Sequence, residues 1–247
     1  MVENVLRELS TFSGVASVDG TRAILQRHLA GSVPDQRAVM SLLKDLGRAK
    51  RSAELVTVLQ YLREHGLKLD VFFAAAAIKA CGDSSDWARA LHLLNSMAAG
   101  RVELDTITYN AAVTASEKGG EWTMAFSLLG LMAAHRVEMN TITCSAAVSA
   151  CEKGGEWIMA LQLLGSMAAE RVEMNTITLN AAVSACKAGG EWVQALQLLL
   201  ETATNRIETN TITYNAALSA CGQKGEWMQA SQLVSDMTAC LVEKNTI

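Results

Sequence analysis

Six cysteines, four histidines and recurring glycine pairs are the residues of this 247-residue chain whose types could support metal or covalent chemistry. Zinc sites use closely spaced ligands such as C-x-x-C, and the zinc deaminases carry an H-x-E motif; neither pattern occurs. The glycine pairs follow apolar segments and do not form a phosphate-binding motif. The sequence therefore predicts no enzyme, no metal, no cofactor and no small-molecule substrate.

Asparagine and serine residues that recur at a fixed interval of 35 residues form a second set that could bind a ligand. One series is Asn110, Ser145, Asn180 and Asn215, and the other is Asn140, Asn175, Asn210 and Asn245. A side-chain amide offers both donors and an acceptor, so such a series can contact a ligand. Asparagine just before Thr-Ile-Thr is equally suited to a turn or a helix N-cap. The residues by themselves leave both interpretations open.

The same interval governs the whole chain, because all five tryptophans lie 35 residues apart. Counted from the first threonine of Thr-Ile-Thr, four well-matched repeats occupy 106–245, at 106–140, 141–175, 176–210 and 211–245. Two divergent repeats fit 36–105, at 36–70 and 71–105. Residues 1–35 are predicted to be a degenerate repeat or N-terminal cap, and residues 246–247 begin a truncated repeat. Such a period is typical of a solenoid.

Each repeat is predicted to contain two helices. In the first, Tyr109, Ala112, Val113 and Ser116 lie at the spacing of one buried stripe, and Gly119 and Gly120 end the helix. In the second, the predicted buried stripe is Trp122, Ala125, Phe126, Leu129, Met132 and Ala133. Cys81, Cys151, Cys186 and Cys221 fall on the first stripe and are predicted to be core residues. Trp157 and the other tryptophans are likewise predicted to be buried.

Composition agrees with an all-α protein, since half the residues are hydrophobic and only one is proline. The formal net charge of −4 does not favour nucleic-acid binding, which would need basic residues gathered on one face. No apolar run is long enough to span a membrane. The N-terminus contains Glu3, Glu8 and Asp19, which is not typical of a transit peptide.

The segments TITYNAAVTASEKGGEWTMAFSLLGLMAAHRVEMN and TITCSAAVSACEKGGEWIMALQLLGSMAAERVEMN resemble pentatricopeptide repeats. The resemblance lies in the period, the two-helix layout, the T-x-Y-N opening and the L-L-x-x-M close, and it covers 106–245 well and 36–105 loosely. It implies a right-handed superhelical α-solenoid that binds single-stranded RNA, one nucleotide per repeat. Base edges are then recognised by side chains on successive helical repeats.

The resemblance also implies roles for individual residues. The fifth and last residues of a repeat read one base, which pairs Asn110 with Asn140, Ser145 with Asn175, Asn180 with Asn210, and Asn215 with Asn245. The family's code translates these pairs as pyrimidine, adenine, pyrimidine, pyrimidine, 5′ to 3′. An apolar second residue clamps the bases, which selects Ile107, Ile142, Ile177 and Ile212. A basic residue near the thirteenth position contacts phosphate, which selects Lys118, Lys153, Lys187 and Lys224.

Some positions depart from the family pattern. Ala75 and Met40 stand in the reading position opposite Asp105 and Asp70, and Gln223 replaces the basic residue of the last repeat. Glu117 and Glu152 lie beside two of the proposed phosphate-binding lysines. These departures bear on affinity and specificity more than on the fold.

Two functions follow as hypotheses. The first is sequence-preferring single-stranded RNA binding in the RNA processing, stability or translation of a mitochondrion or plastid, with the localisation implied only by the resemblance. The alternative is a scaffold that binds protein partners on the concave face, which the acidic net charge fits equally well. Neither hypothesis involves a membrane.

Overall fold

Helices, and no strands, make up the regular structure of the residues that the computed structural model describes, which are 8, 18–29, 36–66, 71–99, 104–204 and 210–244. In this part of the chain the helices are α1 (Val18–Leu29), α2 (Gln36–Arg48), α3 (Ser52–Glu64), α4 (Val71–Asp83), α5 (Trp87–Ala99), α6 (Thr106–Gly119), α7 (Trp122–Ala134), α8 (Thr141–Gly154), α9 (Trp157–Ala169), α10 (Thr176–Gly189), α11 (Trp192–Thr204), α12 (Thr211–Lys224) and α13 (Trp227–Lys244). From α2 onward they form pairs, the first and second helix of each predicted repeat. The predicted two-helix layout is therefore confirmed.

The first helices of the four repeats in 106–245 end at glycines that adopt the left-handed conformation. Gly155 follows α8 with φ of 74°, and Gly120, Gly190 and Gly225 repeat this geometry. The left-handed Gly155 turns the backbone so that the N–H of Glu156 donates to the carbonyl oxygen of Cys151 at 2.9 Å. This bond satisfies a terminal carbonyl of the helix. Glycine adopts this φ without strain, whereas Lys50 and Ser85 adopt φ of 56° at the same place after α2 and α4.

The core follows the predicted stripe of the first helices closely and that of the second helices only in part. Tyr109, Ala112, Val113 and Ser116 are buried, as predicted. In α7 the buried residues are Ala125, Leu128, Leu129 and Met132, whereas Trp122 and Phe126 are only half-buried and Ala133 is exposed. The prediction for Ala133 is wrong because Leu128 and Met132, one turn apart, form the inner edge of the stripe. Ala133 is rotated about 100° beyond Met132.

The chain divides into two compact units, the first formed by Met1–Gly119 with Ser127–Glu138 and the second by Gly120–Phe126 with Met139–Ile247. In the first unit α2, α4 and α6 pack in succession, and the second helices α1, α3 and α5 also contact one another in succession. In the second unit α8, α10 and α12 pack in succession, while α9, α11 and α13 pack against these first helices. The protein is an all-α solenoid of tandem 35-residue helical hairpins.

Trp87, Trp122 and Trp157 each contact the glycine that is the last residue of the first helix in the following repeat. A Cβ atom built on Gly189 would lie 2.2 Å from Cδ1 of Trp157, and one on Gly154 would lie 2.5 Å from Cδ1 of Trp122. Trp157 is nevertheless only half-buried, and Trp227 is 72% exposed, so the predicted burial of the column is wrong for Trp227 and overstated for the others. Each tryptophan is the first residue of its helix, and none of the five is fully buried.

No helix in the described residues is both long and apolar enough to cross a bilayer. The cysteines predicted to be core residues, Cys81, Cys151, Cys186 and Cys221, are buried, and so is Cys144. Burial raises the pKa of Cys81 and Cys151 to about 12, so both are thiols at neutral pH. A buried thiol behaves as a small apolar side chain.

We expect Gly189→Ala to lower the stability of the protein by about 1–3 kcal/mol, because its new methyl group would overlap the indole of Trp157. Thermal denaturation followed by circular dichroism would measure the change. Gly130→Ala is the control, since a Cβ there meets nothing within 4 Å and an alanine inside α7 should stabilise it by up to about 1 kcal/mol. An unchanged midpoint for Gly189→Ala would show that the contact is unimportant.

Candidate nucleic-acid interface

Where the structure describes it, the last residue of a repeat caps the first helix of the next repeat. Asn175 has an extended backbone, and its Oδ1 accepts from the N–H of Thr178 at 2.9 Å. Asn140 caps α8 and Asn210 caps α12 in the same way, through the N–H groups of Thr143 and Thr213. The helix-capping interpretation is therefore correct for these three residues. Because the cap uses the Oδ1 atom, it does not by itself exclude ligand contact through the amide nitrogen.

The capping threonine also joins the last residue of a repeat to its fifth residue. The hydroxyl of Thr178 donates to Oδ1 of Asn175 at 2.9 Å, and Oγ of Ser145 lies 2.5 Å from the same hydroxyl oxygen. A threonine hydroxyl has a single proton, so Ser145 is the donor in the second bond. The structure thus brings together Ser145 and Asn175, the two predicted base-reading residues of repeat 141–175, through a buried residue of the next repeat.

The next repeat has the same arrangement with asparagine in place of serine. The hydroxyl of Thr213 lies between Oδ1 of Asn210 and the amide of Asn180. The structure places Oδ1 of Asn180 against this hydroxyl, which has one proton for two acceptors. An Asn180 amide turned so that its Nδ2 donates to Thr213 would satisfy both bonds. Asn180 is half-buried, whereas Ser145 is 7% exposed.

For the other predicted reading residues, the structure gives a position but no threonine-bridged pair. Asn110 is half-buried in α6 within the first unit, Asn140 caps α8 in the second unit, and Asn215 is exposed on α12. Asn245 and Asp70 lie outside the described residues. In the divergent repeat 71–105, Asp105 caps α6 through the N–H of Thr108 at 2.9 Å, but Ala75 has no polar group with which to read a base.

Large apolar side chains project into solvent at the second position of the first helices. The predicted clamp residues Ile107, Ile142, Ile177 and Ile212 are 62–64% exposed, although the threonines that follow them are fully buried. Phe72 occupies the same position in repeat 71–105 and is 74% exposed. The sequence analysis missed Phe72 because that repeat lacks the Thr-Ile-Thr signature, although counting in steps of 35 residues from Ile107 would have found it.

The predicted phosphate-binding lysines differ in their surroundings. Lys118 forms an ion pair with Asp83, which occupies the same position in the preceding repeat of the first unit. Lys153 and Lys224 are exposed, and Lys187 is half-buried. Both members of the Lys118 pair are substantially exposed, so a polyanion can compete for the lysine at little cost.

Family models match more than half of the sequence. The pentatricopeptide repeat model matches residues 107–137, 142–172 and 212–240, and the pentatricopeptide repeat domain model matches residues 162–224. The chain belongs to the pentatricopeptide repeat family. No curated protein matches the sequence.

Solved structures of other pentatricopeptide repeat proteins share the fold. Maize PPR10 is 22% identical with a TM-score of 0.68, and the match covers 97% of this chain and 37% of that one. PPR10 in complex with an 18-nt psaJ RNA element has a TM-score of 0.70 at 22% identity, covering 96% and 34%. The PPR domain of Arabidopsis thaliana protein-only RNase P 1 in complex with tRNA has a TM-score of 0.59 at 14% identity, covering 66% and 86%.

At these low identities, the TM-scores show a shared fold alone. This chain spans little more than a third of the length of PPR10.

We expect Asn175→Ala to destabilise the protein by about 1 kcal/mol, because it removes the acceptor that caps α10. Asn175→Asp should leave stability within a few tenths of a kcal/mol, since a carboxylate keeps the acceptor and suits a helix N-terminus. Asp105 already makes this cap on α6, which provides the precedent. Urea denaturation of both variants would measure the difference, and equal midpoints would contradict a contribution from the cap.

Proposed function

We propose that this pentatricopeptide repeat protein binds single-stranded RNA, with one nucleotide recognised by each of the repeats in 106–245. The observation that supports this most directly is the hydrogen bonding of Thr178 with both Ser145 and Asn175. It holds these two polar residues close to the exposed Ile142 and Ile177. A polar edge next to apolar side chains suits a nucleobase, which has a hydrogen-bonding edge and two flat faces.

The related structures support the same proposal. PPR10 has been solved with an RNA element, and the PPR domain of protein-only RNase P 1 has been solved with tRNA. We infer that the corresponding surface of this chain also takes RNA, through the pairs Asn110 with Asn140, Ser145 with Asn175, Asn180 with Asn210, and Asn215 with Asn245. The proposed order of bases is pyrimidine, adenine, pyrimidine, pyrimidine, 5′ to 3′.

The threonine bridge suggests why serine and asparagine would select different bases. At Ser145 a small hydroxyl is tied to Thr178 and leaves room beside Asn175, whereas Asn180 places a whole amide beside Asn210. The bulkier residue leaves less space for a base, which suits the smaller pyrimidine. The hydroxyl leaves more space, which suits adenine. The difference lies in chemistry and volume, not in the helix cap, because the cap is the same in both repeats.

We expect Ser145→Asn to shift the base preferred by repeat 141–175 from adenine to a pyrimidine. Asparagine fits, because Asn180 occupies the equivalent place beside Thr213. Two RNAs that differ only at that base should exchange their order of affinity, each difference being about 1–3 kcal/mol by analogy with mismatches in DNA readout. Titration of both RNAs with the wild-type protein and the variant would measure this.

Ser149→Asn is the matched control. Ser149 lies one turn further along α8, so this variant makes the same chemical change at a residue outside the pair. It should leave the preference unchanged. Equal affinities of both RNAs for every variant would refute base reading at this repeat, and a complete lack of RNA binding would leave the protein-scaffold alternative in its place.

We expect Asp83→Asn to strengthen RNA binding and to steepen its salt dependence, because it releases Lys118 from its ion pair. A phosphate contact on single-stranded RNA changes the slope of log affinity against log salt by about 0.7. Binding of one RNA at several salt concentrations would measure the slope.

The double variant Asp83→Asn, Lys118→Ala separates this effect from a general change in net charge. If Lys118 contacts phosphate, the double variant should lose the added slope. Lys153→Ala should flatten the slope by a similar amount and leave base preference intact. A slope that is the same with and without Lys118 would remove this lysine from the proposed interface.

The proposed setting is a mitochondrion or plastid, in RNA processing, stability or translation, because that is where the family generally acts. Occupancy of a short RNA segment would suffice for such a role, by excluding nucleases or by changing RNA structure. Sequencing of RNA crosslinked to the protein in cells would identify both the compartment and the bound segment.

A further inference from the structure

We propose that the divergent repeats 36–70 and 71–105 form a second RNA contact, which holds phosphates and stacks one base without reading its identity. The proposal rests on the proposed function, because it places this contact on the 5′ side of the segment that is read. Its residues lie on α2 and α4 of the first unit. These two helices pack against each other, and α4 packs against α6, which carries the predicted reading residue Asn110.

Three basic side chains lie along one line of α2. Arg37, Lys44 and Arg48 are the second, ninth and thirteenth residues of repeat 36–70, a spacing that keeps them within about 20° of one line along the helix. All three are exposed, whereas the apolar residues on the other side of α2 form part of the core. In repeats 106–140 and 141–175 the same line holds an exposed isoleucine, a hydroxyl residue and a lysine. The line that carries the proposed clamp and phosphate contacts of those repeats is therefore wholly basic on α2.

Lysine at the ninth position occurs in the two repeats that lack a polar reading residue. Met40 and Ala75 are the fifth residues of these repeats, and Lys44 and Lys79 follow them by one helical turn. The repeats with asparagine or serine at the fifth position have a hydroxyl residue at the ninth, namely Thr114, Ser149, Ser184 and Ser219. An ammonium group binds a phosphate whatever base the nucleotide carries. The divergent repeats therefore offer charge where the others offer a base-reading pair.

Phe72 supplies an aromatic surface on the same line of α4. Its side chain is 74% exposed, whereas the neighbouring Phe73 is 3% exposed and packs in the core. Lys79 lies two turns further along α4 and is also exposed. An aromatic ring stacks on any base and a nearby cation holds the backbone, which is how single strands are bound without sequence preference. Repeat 71–105 can therefore hold a nucleotide although Ala75 cannot read its base.

The 5′ surface is formed by Arg37, Lys44, Arg48, Phe72 and Lys79. The carboxylates beside it are engaged, because Asp83 pairs with Lys118, Asp45 lies 3.6 Å from a guanidinium nitrogen of Arg48, and Asp105 caps α6. The other basic residues of the 5′ surface form no ion pair within the described part of the chain. The 5′ surface thus keeps a positive charge although the formal net charge of the chain is −4. It supplies basic residues gathered on one face, as nucleic-acid binding requires.

The chemistry of the 5′ surface favours RNA over other anionic partners. Its residues occupy the same repeat positions as the proposed RNA contacts of the following repeats, and they include an exposed aromatic ring as well as cations. Phosphate contacts position a strand and supply affinity, whereas base contacts supply specificity. The 5′ surface would therefore strengthen binding without changing which sequence is chosen.

Fluorescence anisotropy with three labelled RNAs of equal length tests the proposal on the intact chain. Each RNA carries the proposed read segment preceded by two nucleotides, one for each divergent repeat. The first RNA is unmodified, the second has uncharged methylphosphonate linkages at those two nucleotides, and the third lacks the base next to the read segment. We expect the methylphosphonates to flatten the slope of log affinity against log salt by about 0.7 for each lost phosphate contact.

Lys44→Gln with Lys79→Gln removes two charges from exposed helical positions that glutamine also suits. This variant should bind the first two RNAs with the same slope, and it should keep the preference for adenine at repeat 141–175. Arg63→Gln with Arg136→Gln is the matched control, because it removes the same net charge from exposed positions of the first unit that lie outside the 5′ surface. The control should retain the difference in slope between the two RNAs.

Phe72→Thr tests the stacked base. The wild-type protein should bind the RNA that lacks this base about fivefold or more weakly than the unmodified RNA, and the variant should bind both equally. Exchange of that base among the four nucleotides should change the affinity by no more than about twofold, since stacking is tolerant of sequence.

Several results would overturn the proposal. Equal slopes for the unmodified and methylphosphonate RNAs with the wild-type protein would show that no phosphate is held there, even with an adenine preference at repeat 141–175 that supports the proposed function. Equal losses in the lysine variant and its control would indicate general attraction to net charge. Failure of every RNA to bind would contradict the proposed function and the 5′ surface together. Binding of polyglutamate that depends on Lys44 and Lys79 would identify an acidic protein segment as the occupant.

Discussion

Consecutive first helices pack through small side chains, and this close packing determines the spacing of everything attached to them. In the first unit a Cβ on Gly47 would lie 2.7 Å from the Cβ of Ala80, and one on Gly82 would lie 3.0 Å from the Cβ of Ala115. Helices of 13 or 14 residues are marginal on their own, so they are stable only when stacked. Larger residues at these contacts would separate successive first helices and alter the distance between neighbouring reading residues.

The first and second helices of a repeat consequently have different roles. The first helices are packed closely enough for a threonine of one repeat to bond with residues of the repeat before it, as Thr178 does with Ser145. The second helices bury mainly leucine and methionine, while the first helices keep a regular polar and apolar surface.

Much of this arrangement could be predicted from the 35-residue period. The period located the helix pairs, the glycines that end the first helices, the buried cysteines and the exposed isoleucines, because each depends on local sequence and helical spacing. It failed for Trp227 and Ala133, whose exposure depends on what lies beside them in the stack. It also missed the role of Thr178, which a sequence pattern identifies only as a buried residue. The bond from Thr178 to Ser145 depends on the separation of two helices, and no single repeat contains that information.

Thr178, the third residue of one repeat, bonds with Ser145 and Asn175 of the repeat before it. The set of residues that would contact one base therefore extends three residues beyond the 35-residue sequence repeat. Ser145 and Asn175 belong to one 35-residue segment, but the hydroxyl that joins them belongs to the next. Tandem duplication tolerates this offset, because copying any window of 35 residues supplies a new threonine in register, wherever the breakpoints fall. A repeat array of this kind can therefore lengthen by unequal recombination without rebuilding its junctions. A segment transplanted from an array with a different residue at that place would alter the pair that precedes it.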